Sequence, residues 1–127
     1  MYRLLFIAAG GAAGATLRYL VTGWVHRVAS PAFPWGTLVV NVLGCFALGL
    51  LGTVIAGPLL LREEVRLALL VGLLGAFTTF STFGWETMML VSNGRWALAA
   101  GNLLLSNGLG LLAVFCGYRL AQRVWGI

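Results

Sequence analysis

The segment Gly72–Glu86, GLLGAFTTFSTFGWE, holds the residues whose types and spacing could do chemistry. Gly72 and Gly75 precede Thr78, Thr79, Ser81 and Thr82, with Phe80 and Phe83 set among the hydroxyls. Glycine and clustered hydroxyl residues are poor helix formers. Their hydroxyls satisfy backbone groups that a break in a helix sets free. A break inside a membrane presents helix ends and bare carbonyls to an ion. Two architectures fit the pattern: a broken, functional helix, or a continuous helix with packed phenylalanines. On a helix that starts after the break, Phe80 and Phe83 share one face, and Thr79, Thr82 and Glu86 share a second. A phenyl ring has a negative face and a positive edge, so two rings aimed edge-on solvate an anion without a fixed charge. Such a site holds the ion weakly enough to let it move on. Hydroxyl donors beside the rings form a polar track for a small, strongly hydrated anion.

The rest of the chain explains where such a segment must sit. The sequence has 127 residues, of which 61% are hydrophobic and 9% charged, and its mean hydropathy is +0.99. A soluble domain carries about 25% charged residues, so the polar side chains here cannot cover a water-soluble globule. Disorder is excluded by the same apolar composition. An all-α integral membrane protein remains. A spanning helix needs about 20 residues, and the chain divides into four spans at about residues 4–25, 36–57, 67–91 and 96–120. Residues 1–127 then form a single four-helix transmembrane domain, with no room for a domain outside the bilayer. Arg3 ahead of an apolar run with small residues resembles a signal peptide, but the run continues through Tyr19, Leu20, Val21 and Trp24 to spanning length. Pro58 ends the second span. Arg62, Glu63, Glu64 and Arg66 read as a solvated loop of mutually paired charges.

Polar side chains within the spans are costly and therefore candidates for function. Asn41 lies near the start of the second span, without a polar neighbour in sequence; its amide suits an interhelical hydrogen bond or an anion. Arg18 lies one helical turn beyond Gly14, where it either snorkels to lipid phosphates or draws anions into a vestibule. Glu86 is the one carboxylate expected within a span; it is a proton carrier, or an anchor or member of the polar track. Asn102, Ser106 and Asn107 are the polar residues of the fourth span. Cys45 and Cys116 fall in apolar runs and read as small core residues. His26 has no ligand partner at a recognised metal-site spacing. The net charge of +5 comes from eight scattered arginines against three acidic residues, without the basic stripe that nucleic acid requires. A faint repeat relates Trp35, Asn41 and Gly49 to Trp96, Asn102 and Gly110 at equal offsets.

If the four helices alternate, Arg3, Arg62, Arg66, Arg119 and Arg123 fall on one side, and Arg18, Arg27 and Arg95 on the other. An arginine excess fixes topology, and five against three gives little bias. Such a chain inserts both ways up. One copy has too little material to surround a pore, whereas two copies related by a two-fold axis in the membrane plane bring each break against its inverted twin. Gly11, Gly14, Gly44, Gly72 and Gly75 are expected to permit the close contact.

GGAAGATLRY in the first span, PWGTLVVNVLG opening the second and GLLGAFTTFSTFGWE in the third resemble the Fluc/CrcB family of fluoride channels, in the same order and spacing across all four spans. The resemblance implies a passive channel of the prokaryotic plasma (inner) membrane. It would export toxic fluoride from the cytoplasm, reject chloride and so confer fluoride resistance. It also implies an antiparallel, dual-topology homodimer with two pores and a third helix broken near its centre. A structural sodium ion on the two-fold axis would be held by the backbone carbonyls of Gly75 and Thr78. The resemblance assigns the fluoride pore to Asn41, Phe80 and Phe83 with Ser81 and Thr82, and the aqueous vestibule to Arg18. Thr79, Glu86, Asn102 and Ser106 are the further candidates for the polar track. The chain departs from several relatives in having Gly84, rather than Ser, after the second phenylalanine. In the fourth helix some relatives place Tyr or His among the pore-facing residues, and here Asn102 stands close by.

Other classes fit less well. A proton-coupled small four-helix exporter depends on a Glu in its first helix, which this chain lacks. A non-conducting assembly protein needs no polar track. An enzyme needs a nucleophile–base pair or a metal cluster, and the sequence shows neither.

Overall fold

A computed structural model describes residues 2–126, all helical apart from short connections. Helix α1 covers Tyr2–Val28, α2 covers Trp35–Ala56, and a third span runs from Glu63 to Ser92 in several pieces. These pieces are α3 (Glu63–Leu67), a π-helical stretch (Ala68–Leu74), α4 (Gly75–Phe77) and α5 (Phe80–Ser92). Helix α6, Trp96–Trp125, completes the bundle. Among the described residues, four stretches are thus long and apolar enough to cross a membrane, with Gly94 at a φ of 69° turning the chain between the third and fourth.

The helices run beyond the apolar windows expected from sequence. The first span begins before residue 4, the third begins at Glu63 and the fourth reaches Trp125. Arginine stems lie along a helix while their heads reach the aqueous boundary, so hydropathy marks the bilayer and not the helix end. For the same reason the expected charged loop is a correction. Glu63 and Glu64 form the first turn of α3, where acidic side chains favour the positive helix end. Glu63 pairs with Arg3 of α1 at 2.6 Å, and Glu64 with Arg62 at 3.6 Å.

Two close helix pairs make the framework, α1 with the π-helical stretch and α2 with α6. Both rely on backbone approach, which only a missing side chain allows. A Cβ at Gly10 or Gly14 would strike the carbonyl oxygens of Ala68 or Leu73, and one at Gly49 or Gly117 would strike those of Val114 or Phe46. A Cβ at Gly72 would come within 2.6 Å of the Ile7 carbonyl oxygen. Gly14, Gly44 and Gly72 therefore pack within the chain, which corrects the expectation that they serve contact between copies. Gly11 has nothing within 4 Å of a Cβ added to it, and Gly75 only the Leu70 carbonyl oxygen at 3.9 Å. The cysteines also differ from expectation: Cys45 is half-buried, and Cys116 is exposed on α6.

Candidate ion pathway

The third span breaks at two threonines. Thr78 (φ −83°, ψ 157°) and Thr79 (φ −151°, ψ 116°) are extended, a backbone that suits a β-branched residue. Each threonine closes one side of the gap. The Thr78 hydroxyl donates to the Leu74 carbonyl at 3.0 Å, ending the first half. The Thr79 hydroxyl accepts from the Thr82 amide at 3.3 Å as the N-cap of α5. It also donates to the Thr82 hydroxyl at 3.1 Å and lies 3.4 Å from the Ser81 hydroxyl.

Asn41 holds the gap open from α2. Its Oδ1 accepts from the Thr79 amide at 2.8 Å, and its Nδ2 donates to the Thr79 carbonyl at 3.0 Å. The interhelical hydrogen bond among the expectations is thus present in double form. One N–H of the side chain remains for a further acceptor. Gly44, further along α2, leaves room for the same break: a Cβ there would overlap Cγ2 of Thr78 and come within 3.3 Å of the Phe77 ring.

These bonds free two carbonyls. The amide that would close an i+4 bond to Gly75 O belongs to Thr79, and it is committed to Asn41. The corresponding amide for Thr78 O belongs to Thr82, and it is committed to the Thr79 hydroxyl. Neutral carbonyl oxygens at a helix C-terminal end suit a hard cation of low charge. Among the described residues no group of three or more His, Cys, Asp or Glu side chains could hold a metal ion. Across the gap, the N-terminal end of α5 carries partial positive charge and suits an anion.

The phenylalanines expected on one face are neighbours, with ring centroids 5.5 Å apart and planes tilted by 45°. Phe83 is buried at 6% exposure, whereas Phe80 stands 80% exposed on the surface of the single chain. Both line a cavity of about 310 Å³ that also takes in Asn41, Gly44, Gly75, Thr78, Thr79, Ser106 and Asn107.

A second cavity, of about 550 Å³, lies between α1 and α5 and is lined by Arg18, His26, Arg27, Thr37, Thr79, Thr82 and Glu86, among others. Thr79, Thr82 and Glu86 share one face, as their spacing indicates, and Arg18 stands in the same wall. Thr79 lines both cavities, so the break is the partition between them.

Two polar partners were not apparent in the sequence. The Thr37 hydroxyl donates to Glu86 Oε1 at 2.9 Å, while Glu86 Oε2 is buried without a hydrogen-bond partner. Thr37 lies four residues before Asn41, on the same helix face, and that spacing was the available signal. On the far side of α5, Asn102 is 1% exposed and donates to the Thr87 hydroxyl at 2.9 Å. Thr87 in turn donates to the Phe83 carbonyl at 2.7 Å, and Ser106 donates to Asn102 Oδ1 at 3.2 Å. Asn102 therefore reaches the smaller cavity only through Ser106, and it steadies the turn of α5 that carries Phe83.

A family profile described as "CrcB-like protein, Camphor Resistance (CrcB)" matches residues 5–118. The chain is 48% identical over 126 residues to a fluoride-specific ion channel, FluC, of Chloroflexus aurantiacus, covering 99% of this chain and 100% of that one. It is 43% identical over 122 residues to FluC of Nitrosococcus oceani, covering 96% and 98% of the two chains. With FluC of Geobacter sulfurreducens the identity is 44% over 124 residues, covering 98% of this chain and 100% of the relative.

Proposed function

The chain belongs to the CrcB family, and on that basis we propose that it is a fluoride-selective passive channel of the bacterial inner membrane, a multi-pass protein and not an enzyme. The observation that carries the reading is the break at Thr78–Thr79, braced by Asn41 and flanked by the Phe80–Phe83 pair. Fluoride enters the arginine-lined cavity, where Arg18 and Arg27 raise the local anion concentration. It sheds water against the hydroxyls of Thr79, Ser81 and Thr82 and the free N–H of Asn41. It then passes the ring edges of Phe80 and Phe83. The rings offer no full charge, so the ion leaves again, and a larger, more weakly hydrogen-bonding halide such as chloride gains less from the same donors.

The proton-coupled exporter is the weaker reading. Its carrier would be Glu86, yet that carboxyl is tied to Thr37 at the edge of the wide cavity and not at a central substrate site. The test is fluoride efflux from liposomes in the absence of a proton gradient.

The assembly we propose is an inverted homodimer in the bilayer, with sodium as its structural ion. Phe80 supports it: a phenylalanine 80% exposed beside the break awaits a covering surface, and the balanced arginines permit either insertion. Contact between Gly75 of one copy and its twin would bring the freed carbonyls of Gly75 and Thr78 from both chains around one axis. A structure of the assembled protein tests both points. It should contain two inverted copies and axial density contacted by four carbonyls, two per chain. Parallel copies, or an axis contacted by water-like distances and fewer carbonyls, would overturn them.

A further inference from the structure

We propose that His26 is a proton-controlled element of the fluoride vestibule, which in its charged form raises the fluoride current. This rests on the channel reading above.

His26 lies near the end of α1, two residues before Val28, and it lines two cavities at once. One is the arginine-lined vestibule. The other, of about 510 Å³, is formed by the Pro31–Pro34 connection and α5 and includes Arg95. Among the described residues, Glu86 is the only other one that lines both. The two side chains therefore stand together in the wall between the two cavities. His26 is exposed and opens onto both cavities, the route by which a proton reaches it. It rests over the start of α2 at Gly36, where an added Cβ would come within 3.1 Å of Nε2. Glycine at that position lets the ring lie against the helix.

The charges facing His26 are few. Helix α1 supplies Arg18, Arg27 and the phenol of Tyr19; α5 supplies Glu86; the turn before α6 supplies Arg95. The Pro31–Pro34 connection and the first turn of α2 supply no titratable group. Arginine stays charged throughout the working range, and imidazole is the ordinary side chain that changes charge between pH 5 and 8. Protonation of His26 adds a third positive charge to a vestibule with two fixed ones and a single carboxyl. A cleft of one sign concentrates its counter-ion and speeds entry. The carboxyl of Glu86, with one oxygen lacking a partner, is the group placed to answer that charge.

The experiment is current recording in planar bilayers at equal fluoride on both sides, at pH 7.5 and 5.5, for the parent chain, His26→Gln and His26→Lys. Current is the proper readout, because undissociated acid crossing the lipid carries none. The parent current should rise roughly two- to threefold on acidification at low salt. His26→Gln should stay at the neutral-pH value, and His26→Lys should hold the higher value at both. Raising the salt from 0.1 M to 1 M shortens the screening length from about 10 Å to about 3 Å and should erase the difference; a merely structural histidine would not respond in this way. A parent current that ignores pH, or an acid rise retained in His26→Gln, would overturn the inference. A chain without fluoride current at any pH would overturn the channel reading as well.

Discussion

Phe80→Ile should reduce fluoride flux about tenfold while leaving a folded protein. An aromatic contact is worth about 0.5–1.5 kcal/mol beyond area burial, and about 1.4 kcal/mol corresponds to a factor of ten in rate. Isoleucine keeps an apolar side chain but has no positive ring edge. At 80% exposure, Phe80 contributes little to the packing of its own chain, so its loss leaves the fold of the single chain intact. Phe83→Ile should reduce flux to a similar degree and also lower stability by about 1–3 kcal/mol, because its ring is 6% exposed and the replacement changes the shape of the core. The pair is read by fluoride efflux together with thermal unfolding in detergent. If both variants conduct like the parent, the rings serve packing alone.

The second large effect belongs to Asn41. Asn41→Leu removes the partner of both backbone groups of Thr79. A stranded polar group costs about 1–3 kcal/mol. Thr79 lines two cavities, so water relieves part of that cost, and a loss of about 2 kcal/mol is expected. Flux should fall further than in either phenylalanine variant, because the break itself loses its brace. Asn41→Asp separates the two roles. Its oxygen still accepts from the Thr79 amide, but its other oxygen faces the Thr79 carbonyl, and its charge repels an anion. Both variants should therefore be poor conductors, and retained flux in Asn41→Leu would show that the break stands without this brace.

The broken helix was one of the two architectures the residues allowed, and the features that favour it are local. Gly72, Gly75 and four hydroxyl residues within a few positions weaken the helix wherever it is placed, and the spacing of Thr79, Thr82 and Glu86 sets one wall of the wider cavity. The division of labour between the threonines was not legible, because Thr78 bonds back to Leu74 and Thr79 caps α5 only once the gap exists. Nor was the partner of Asn41, since a backbone amide and carbonyl leave no mark in a sequence. The π-helical stretch packs against α1, whose Gly10 and Gly14 lie against carbonyls of Ala68 and Leu73; a contact so distant in the chain leaves no local mark. The cluster at residues 62–66 pairs within itself as expected, Arg62 with Glu64, but its reading as a loop failed for a physical reason. A hydropathy window ends where the bilayer ends, whereas α3 begins outside it with acidic residues favoured by the helix dipole.

The central claim is that fluoride moves passively through this protein as a charged ion. The direct measurement is purified protein in liposomes loaded with potassium fluoride, diluted into fluoride-free buffer at equal pH and followed with a fluoride electrode. The predicted trace is flat until a potassium ionophore is added, because an uncompensated anion current stops itself. Fast efflux should follow, with chloride loaded in the same way remaining inside. Glu86→Gln should retain this electrogenic efflux. Fluoride movement that needs a proton gradient, or proceeds without the ionophore and disappears in Glu86→Gln, would contradict the account and move the protein to the class of proton-coupled exporters.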